Sequence, residues 1–149
     1  MVATQKRKAG REVWAIPYDY KGACQGADEV CLGVPYFNWG PTYLASVKAV
    51  RDGTWKQTWE WNGPDWNDIN NEDTSAVGFL NGPALSTEVA AKLDSFVQGL
   101  ATGKINVFQG PIFYQDGTPF LVAGETASDQ KVWYMSQLLK GMEGASSPK

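Results

Sequence analysis

A segment that opens with proline and closes with glycine, residues 38–56, constrains the fold of this chain more than any other stretch. Pro41 has the backbone angle of a first helical turn, where its missing N–H costs nothing. Gly53 stands where a helix C-terminus commonly needs a residue with positive φ. Three apolar residues between them recur at helical spacing: Tyr43, Val47 and Val50. The sequence therefore predicts a capped helix with one apolar face, and the alternation that starts at Trp55 predicts a strand.

The composition argues against several classes of function. The chain has 149 residues, 43% of them hydrophobic, which is enough for one domain with a core. Its net charge is −3, so no basic surplus favours nucleic acid as a partner. It contains no histidine, the commonest general base and metal ligand, and two cysteines alone cannot form a tetrahedral zinc site. We therefore expect a protein that is not an enzyme and uses no cofactor and no metal.

A carboxylate follows the first predicted strand. The short apolar run at residues 13–16 is typical of a parallel strand that is covered on both faces, and Pro17 ends it. Asp19, between Tyr18 and Tyr20, then lies just past the carboxyl end of that strand, the edge where open α/β sheets bind ligands. We expect Asp19 to bind a ligand; the alternative is a turn-forming aspartate that bonds its own backbone.

Cys24 and Cys31 flank the turn before a second predicted strand, residues 29–34. A disulfide between them would close a short loop and add about 2–3 kcal/mol to stability. The alternative is a pair of free thiols, one of them buried as a small apolar residue. The sequence leaves both states open.

The middle of the chain is rich in tryptophan and then in acidic residues. Trp55, Trp59 and Trp61 share one parity, so a strand would place the three indoles on one face. Packing under a helix or against another lobe is the favoured interpretation, and an exposed row that stacks on sugar rings is the alternative. Residues 65–73 carry many oxygen ligands but lack the EF-hand spacing, which favours a solvated loop over a calcium site.

The rest of the chain predicts alternating strands and helices. Residues 2–9 predict a helix, residues 76–80 a strand, and residues 107–122 a β-hairpin. Ser86 and Ser128 are predicted to cap helices whose apolar stripes are Val89, Leu93, Phe96 and Leu100, and Val132, Met135, Leu139 and Met142. These patterns indicate an α/β layered fold with a C-terminal β-hairpin and helix, followed by a flexible tail at residues 145–149.

Four blocks of the sequence resemble one known family in the same order. They are Asn38-Trp39-Gly40-Pro41 with Asp52-Gly53-Thr54-Trp55-Lys56, the helix at residues 85–103, Phe108-Gln109-Gly110-Pro111-Ile112 with Gln115-Asp116-Gly117, and Val122-Ala123-Gly124-Glu125 before Ser128-Asp129. From about residue 10 to residue 144 the chain resembles the C-terminal part of the basic membrane protein family. These are extracytoplasmic solute-binding lipoproteins of ABC transporters, and the characterised type binds purine nucleosides.

The resemblance implies a fold and a site. It implies a layered parallel-sheet lobe of a type 1 periplasmic binding protein, with residues 1–144 as an incomplete two-lobe domain. It implies that Asp19 accepts hydrogen bonds from ligand hydroxyls, and that the ligand is a nucleoside or similar polar ring compound. Phe37 stands where the family usually carries a ligand-holding lysine, so a more apolar pocket mouth is expected. The expected ligand-binding residues are Tyr18, Asp19, Tyr20, Tyr36, Phe37, Asn38 and Trp39.

The resemblance also implies partners and a location. We expect a small-molecule ligand, an ABC transporter permease, and association with a missing N-terminal lobe or a second copy of the chain. The expected location is the periplasmic or extracellular face of a bacterial cell envelope, with the export signal outside this chain. Two other functions stay open: a carbohydrate-binding module that uses Trp55, Trp59 and Trp61, and a structural assembly fragment without a ligand.

Overall fold

The computed structural model describes residues 2–146 and divides the chain into two compact units, Met1–Ser95 and Phe96–Lys149. The helices are α1 Val2–Lys8, α2 Gly40–Arg51, α3 Thr87–Ala101 and α4 Asp129–Trp133, with a 3₁₀ turn at Lys21–Cys24. The strands are β1 Gly33–Phe37, β2 Val77–Asn81, β3 Ile112–Phe113 and β4 Pro119–Leu121. In residues 2–146 no helix has both the length and the hydropathy to cross a membrane.

The sheet of the first unit contains an antiparallel pair. β1 pairs with β2 from Gly33 opposite Asn81 to Phe37 opposite Val77. On the other side of β1, the chain at residues 15–19 bridges to residues 31–36 at two points, both parallel. The strand predicted from the apolar run at residues 13–16 is therefore present only as an isolated bridge at Ala15, and the one predicted at residues 29–34 lies later, at β1. A layered parallel-sheet lobe stays a prediction.

The core of the first unit lies around the disulfide. Cys24 and Cys31 are bonded, with their Cα atoms 5.7 Å apart, so the bridge is the correct one of the two predicted alternatives. Cys31 packs with Val34 and Tyr36, and all three are buried. Gly78 of β2 must be glycine here, because a Cβ would come within 2.3 Å of the Tyr36 ring. The bridge thus ties the 3₁₀ turn to the base of β1.

Helix α2 confirms the prediction from its proline and glycine. It starts at Gly40 with Pro41 in its first turn, and Gly53 just beyond its end has a φ of +66°. The predicted apolar face, however, is open to solvent: Tyr43, Val47 and Val50 are each more than 60% exposed.

The strand predicted from Trp55 is wrong. Residues 54–65 have no regular secondary structure, and no strand pairs with them within residues 2–146. Four tryptophans of the region are exposed: Trp55, Trp59, Trp61 and Trp66. Trp55, Trp59 and Trp61 are therefore not in the core of this chain, and their packing against another lobe stays a prediction.

The ends of helix α3 agree with the prediction, whereas its predicted apolar stripe is only partly buried. The Ser86 hydroxyl accepts a hydrogen bond from the Val89 amide at 3.3 Å, and Gly103 ends the helix with a φ of +69°. Of the predicted stripe, Leu93 and Leu100 are half-buried, whereas Val89 and Phe96 are exposed. The signals read from single residues are confirmed, and the burial read from the periodicity is only half correct.

The second unit contains the predicted hairpin. β3 pairs with β4 in an antiparallel sense, with Ile112 opposite Leu121, and Leu121 is fully buried. Gly110, before a cis bond to Pro111, lies so close to β4 that a Cβ would clash with the Val122 carbonyl oxygen. The hairpin at residues 107–122 is therefore confirmed, with shorter strands than predicted.

The last predicted helix is capped as expected but is short. The Ser128 hydroxyl accepts a hydrogen bond from the Lys131 amide at 3.2 Å, and the helix ends at Trp133. The helical face predicted to continue through Met135, Leu139 and Met142 is therefore wrong. In the predicted tail, Ser146 bonds to Gln115 and Leu138, while residues 147–149 lie outside the described residues.

Candidate functional site

Asp19 has the most unusual backbone of the predicted site residues. Its φ is +85°, and among the described residues it is the only non-glycine residue with positive φ. Aspartate tolerates this region better than most residues because its short polar side chain can bond locally. The Asp19 amide donates to the Pro35 carbonyl at 3.0 Å, and its carbonyl accepts from the Phe37 amide at 3.2 Å. Two hydrogen bonds to β1, one from the amide and one to the carbonyl, thus hold the backbone of Asp19, whose side chain is exposed.

Four exposed aromatic rings make contact in a continuous series, which we call the aromatic surface: Tyr18, Phe37, Trp39 and Tyr43. Tyr18 meets Phe37 edge-on with ring centroids 5.6 Å apart, and Phe37 meets Trp39 at 5.3 Å. Trp39 stacks on Tyr43 of α2 at 6.0 Å. These separations lie in the range where aromatic pairs attract each other beyond simple burial. The start of α2 and the end of β1 therefore present one aromatic face, and the backbone of Asp19 joins it through Tyr18 and through the hydrogen bond to Phe37.

Tyr36 is placed differently from its neighbours. It is 4% exposed, and its hydroxyl donates to the Asn70 side-chain oxygen at 2.9 Å. The Lys21 ammonium lies 4.8 Å from the centre of its ring. Tyr36 is therefore a core residue and offers no exposed ring to a ligand, whereas Tyr20 is 69% exposed.

Asn38 fastens the acidic loop to the end of β1. Its side-chain amide donates to the carbonyl oxygens of Glu72 and Ser75, both at 2.8 Å, and its backbone amide donates to Ala76 at 2.9 Å. Both amide hydrogens are therefore used within the protein, and the side-chain oxygen is the group that remains for a ligand. The predicted residue thus has a clear structural role.

The acidic loop at residues 65–73 is built from local hydrogen bonds. The side chains of Asp65, Asp68 and Asn71 each accept from a backbone amide two residues later, at 2.9 Å. A hydrogen bond from Thr74 lowers the pKa of Asp65 below its usual value. Within residues 2–146 no three acidic, histidine or cysteine side chains are grouped as a metal site would require.

Sequence reasoning missed two residues that support the site. Asn70 was read as part of a solvated loop, yet its side-chain oxygen accepts from both Tyr36 and the Phe79 amide. Lys21 pairs with Glu72 at 2.7 Å, and that hydrogen bond raises the pKa of Lys21 and lowers that of Glu72. Both are long-range contacts, so no local pattern could reveal them.

The arrangement suits the binding of a flat ring with polar edges. Exposed aromatic rings offer stacking area, and the neighbouring carboxylate offers hydrogen-bond acceptors. Of the predicted site residues, the structure brings Tyr18, Phe37 and Trp39 together near Asp19. It adds Tyr43, which the sequence indicated only as part of a helix face.

The sequence is similar to that of a known purine-binding protein. The chain is 34% identical over 105 residues to a purine-binding protein of Brucella abortus (strain 2308), a match that covers 70% of this chain. The chain spans about 28% of the length of that protein. No protein-family profile matches the chain.

Proposed function

We propose that the chain belongs to an extracytoplasmic solute-binding protein of the basic membrane protein family and binds a purine nucleoside or similar polar ring compound. The Brucella abortus relative is named for purine binding, and its match extends over most of this chain. The ordered sequence blocks that begin at Asn38 point to the same family. Binding without catalysis is the function that this combination favours.

The observation that carries the proposal is the fixed Asp19 backbone beside the aromatic surface. A backbone outlier that surrounding hydrogen bonds hold in place is typical of functional positions. A purine ring would stack on the exposed aromatic side chains, and the Asp19 carboxylate would accept a hydrogen bond from a ribose hydroxyl or a ring N–H. Burial of the carboxylate under the ligand would strengthen that bond.

Phe37 determines how the ligand would be held. Its ring contacts both Tyr18 and Trp39, so it joins two parts of the aromatic surface. A lysine at this position would hold ligand oxygens through charge, whereas Phe37 offers stacking only. We therefore expect affinity to depend on the flat ring of the ligand and to change little with ionic strength.

Isothermal titration calorimetry with adenosine, guanosine and inosine tests the proposal. Asp19→Asn keeps the tolerance for positive φ and removes the charge, and we expect it to weaken binding at least about tenfold, the loss of one charged hydrogen bond of about 1.4 kcal/mol. Asp94→Asn, an exposed carboxylate on α3, is the matched control and should bind like the unmodified chain. Absence of heat with all three nucleosides would remove the assignment.

The wider setting belongs to the same proposal. Solute-binding proteins of this family close two lobes over the ligand and deliver it to an ABC transporter permease at the bacterial cell envelope. In that setting the aromatic surface would be covered by the second lobe or by a second copy of the chain. Co-purification with the permease from envelope fractions tests the transport role, and recovery of the chain without any permease would count against it.

A further inference from the structure

A groove separate from the aromatic surface lies against the second half of α2. It encloses about 270 Å³ and runs between the helix and the chain that follows it. Its lining comes from Ala45, Ser46, Ala49, Thr54, Trp55, Lys56, Thr58 and Glu60. That volume lies just below the ~300–1,000 Å³ of pockets for drug-sized ligands, so it suits a ligand of one ring.

The groove and the aromatic surface share no residue, although both use α2. At about 100° per residue, Ala45 and Ala49 are turned about 160° and 120° away from Tyr43, and Ser46, at the near edge of the groove, is turned about 60°. Small side chains at these two positions leave room between the helix and the next segment. A ligand in the groove would therefore not compete with one on the aromatic surface.

Residues 54–60 line the groove opposite α2, and hydrogen bonds to the end of the helix hold the first two of them in place. The amides of Thr54 and Trp55 both donate to the Ala49 carbonyl, at 2.9 and 3.1 Å. These bonds hold the Trp55 backbone against the helix while its side chain stays 53% exposed. The Trp55 backbone is thus anchored at the groove, and its indole is open to a ligand there.

The polar lining favours a neutral ligand with many hydroxyl groups. Lys56 and Glu60 carry opposite charges, so the lining has no net charge to select an ion. Ser46, Thr54 and Thr58 add hydroxyls that both donate and accept. Glu60 is itself held by Asn62, whose amide donates to it at 3.4 Å. An aromatic plane beside hydroxyl, carboxylate and ammonium groups matches the apolar face and polar rim of a pyranose ring.

We propose that this groove, formed by α2 and residues 54–60, is a second ligand site that binds a neutral pyranose sugar against Trp55. The site is separate from the proposed nucleoside site, because none of its lining residues belongs to the aromatic surface. Its ligand class follows from the balanced charges, the three hydroxyls and the size of the groove.

The test measures binding of five sugars at millimolar concentration by calorimetry and ligand-observed NMR. The sugars are glucose, galactose, mannose, xylose and N-acetylglucosamine. At least one sugar should bind. Trp55→Ala should weaken it at least about tenfold, equivalent to about 1.4 kcal/mol. Trp66→Ala, another exposed tryptophan outside the groove, is the matched control and should leave the affinity unchanged.

A second pair of variants fills the groove without removing the indole. Ala49→Met should abolish sugar binding, whereas Ala91→Met at an exposed position of α3 should preserve it. Asp19→Asn should also preserve it, which separates this site from the nucleoside site. The proposal is overturned if no sugar binds, if binding survives both Trp55→Ala and Ala49→Met, or if only charged ligands such as amino acids bind.

Discussion

Asp19 could act by binding the ligand through its carboxylate or by stabilising a backbone with positive φ, and two substitutions distinguish these roles. Asp19→Ala removes the carboxylate and places a residue that disfavours positive φ, so the free energy of unfolding should fall by about 1–2 kcal/mol. Asp19→Gly removes the same carboxylate without that conformational cost and should not lower stability through it. Urea unfolding of the two variants measures the difference.

Nucleoside titration of the same variants completes the comparison. Both lack the carboxylate, so both should lose affinity to a similar extent even though their stabilities differ. A glycine variant that binds as well as the unmodified chain would show that Asp19 shapes the turn and does not touch the ligand.

Asp116 makes the stability of the second unit depend on pH in the acid range. Hydrogen bonds from Thr118 and Gln137 lower its pKa from 3.8 to about 2. Because the folded-state pKa is depressed, its stabilising contribution is fully present above pH 3.8 and is lost as the pH falls toward about 2. Hydrogen exchange of the hairpin amides across this window should show protection falling with pH.

Asp116→Asn isolates this contribution. The variant should be less protected than the unmodified chain at neutral pH and should lose less further protection on acidification. Asp129→Asn, the same substitution at another exposed aspartate, is the control and should keep the pH profile of the unmodified chain. An unchanged profile in the Asp116 variant would contradict the role assigned to these hydrogen bonds.

Leu121, the last residue of β4, and Val122, the residue directly after the strand, should differ in how well they tolerate truncation. Leu121 is fully buried, so Leu121→Ala should lower the free energy of unfolding by about 2–5 kcal/mol. The adjacent Val122 is 58% exposed, and Val122→Ala should change it by less than about 0.5 kcal/mol. Denaturant unfolding measures both. Equal effects would mean that the hairpin does not supply the core of its unit.

The sequence predicts elements well where a single residue dictates the backbone. Gly53 and Gly103 end their helices at positive φ as expected, and Ser86 and Ser128 cap the helices that follow them. These signals depend on local geometry, which the residue type fixes without tertiary contacts.

Prediction fails where a pattern needs a partner elsewhere in the chain. The alternation at Trp55 predicts a strand, but residues 54–65 have no neighbouring strand within the described residues. For the site, Tyr18 and Asp19 could be selected because they follow an apolar run, whereas Phe37 and Trp39 were expected only from the family resemblance. The supports from Asn70 and Lys21 could not, because they lie far from their partners in sequence.

The molecule as a whole exposes much apolar area. The open face of α2 and the aromatic surface lie on the same unit, and buried apolar side chains are few for a chain of this length. Exposed apolar patches of this kind mark interaction surfaces. We therefore expect the chain to associate with a second copy when no other partner is present.

Size-exclusion chromatography with light scattering tests this expectation. The mass should exceed that of the 16.3 kDa monomer at micromolar concentration. Val47→Lys on the open face of α2 should reduce it, whereas Ala91→Lys on the exposed side of α3 should not. A monomer that melts cooperatively in one transition would contradict it.

Because Cys24 and Cys31 form a disulfide, the redox state of the compartment in which the chain folds affects its structure. The bridge holds a turn that carries Lys21 over the ring of Tyr36, the residue next to Phe37 of the proposed ligand surface. A chain made in a reducing compartment would lack this link and would order that turn less well. Recombinant material from the cytosol and from an oxidising secretory route should therefore differ in ligand affinity even at identical sequence.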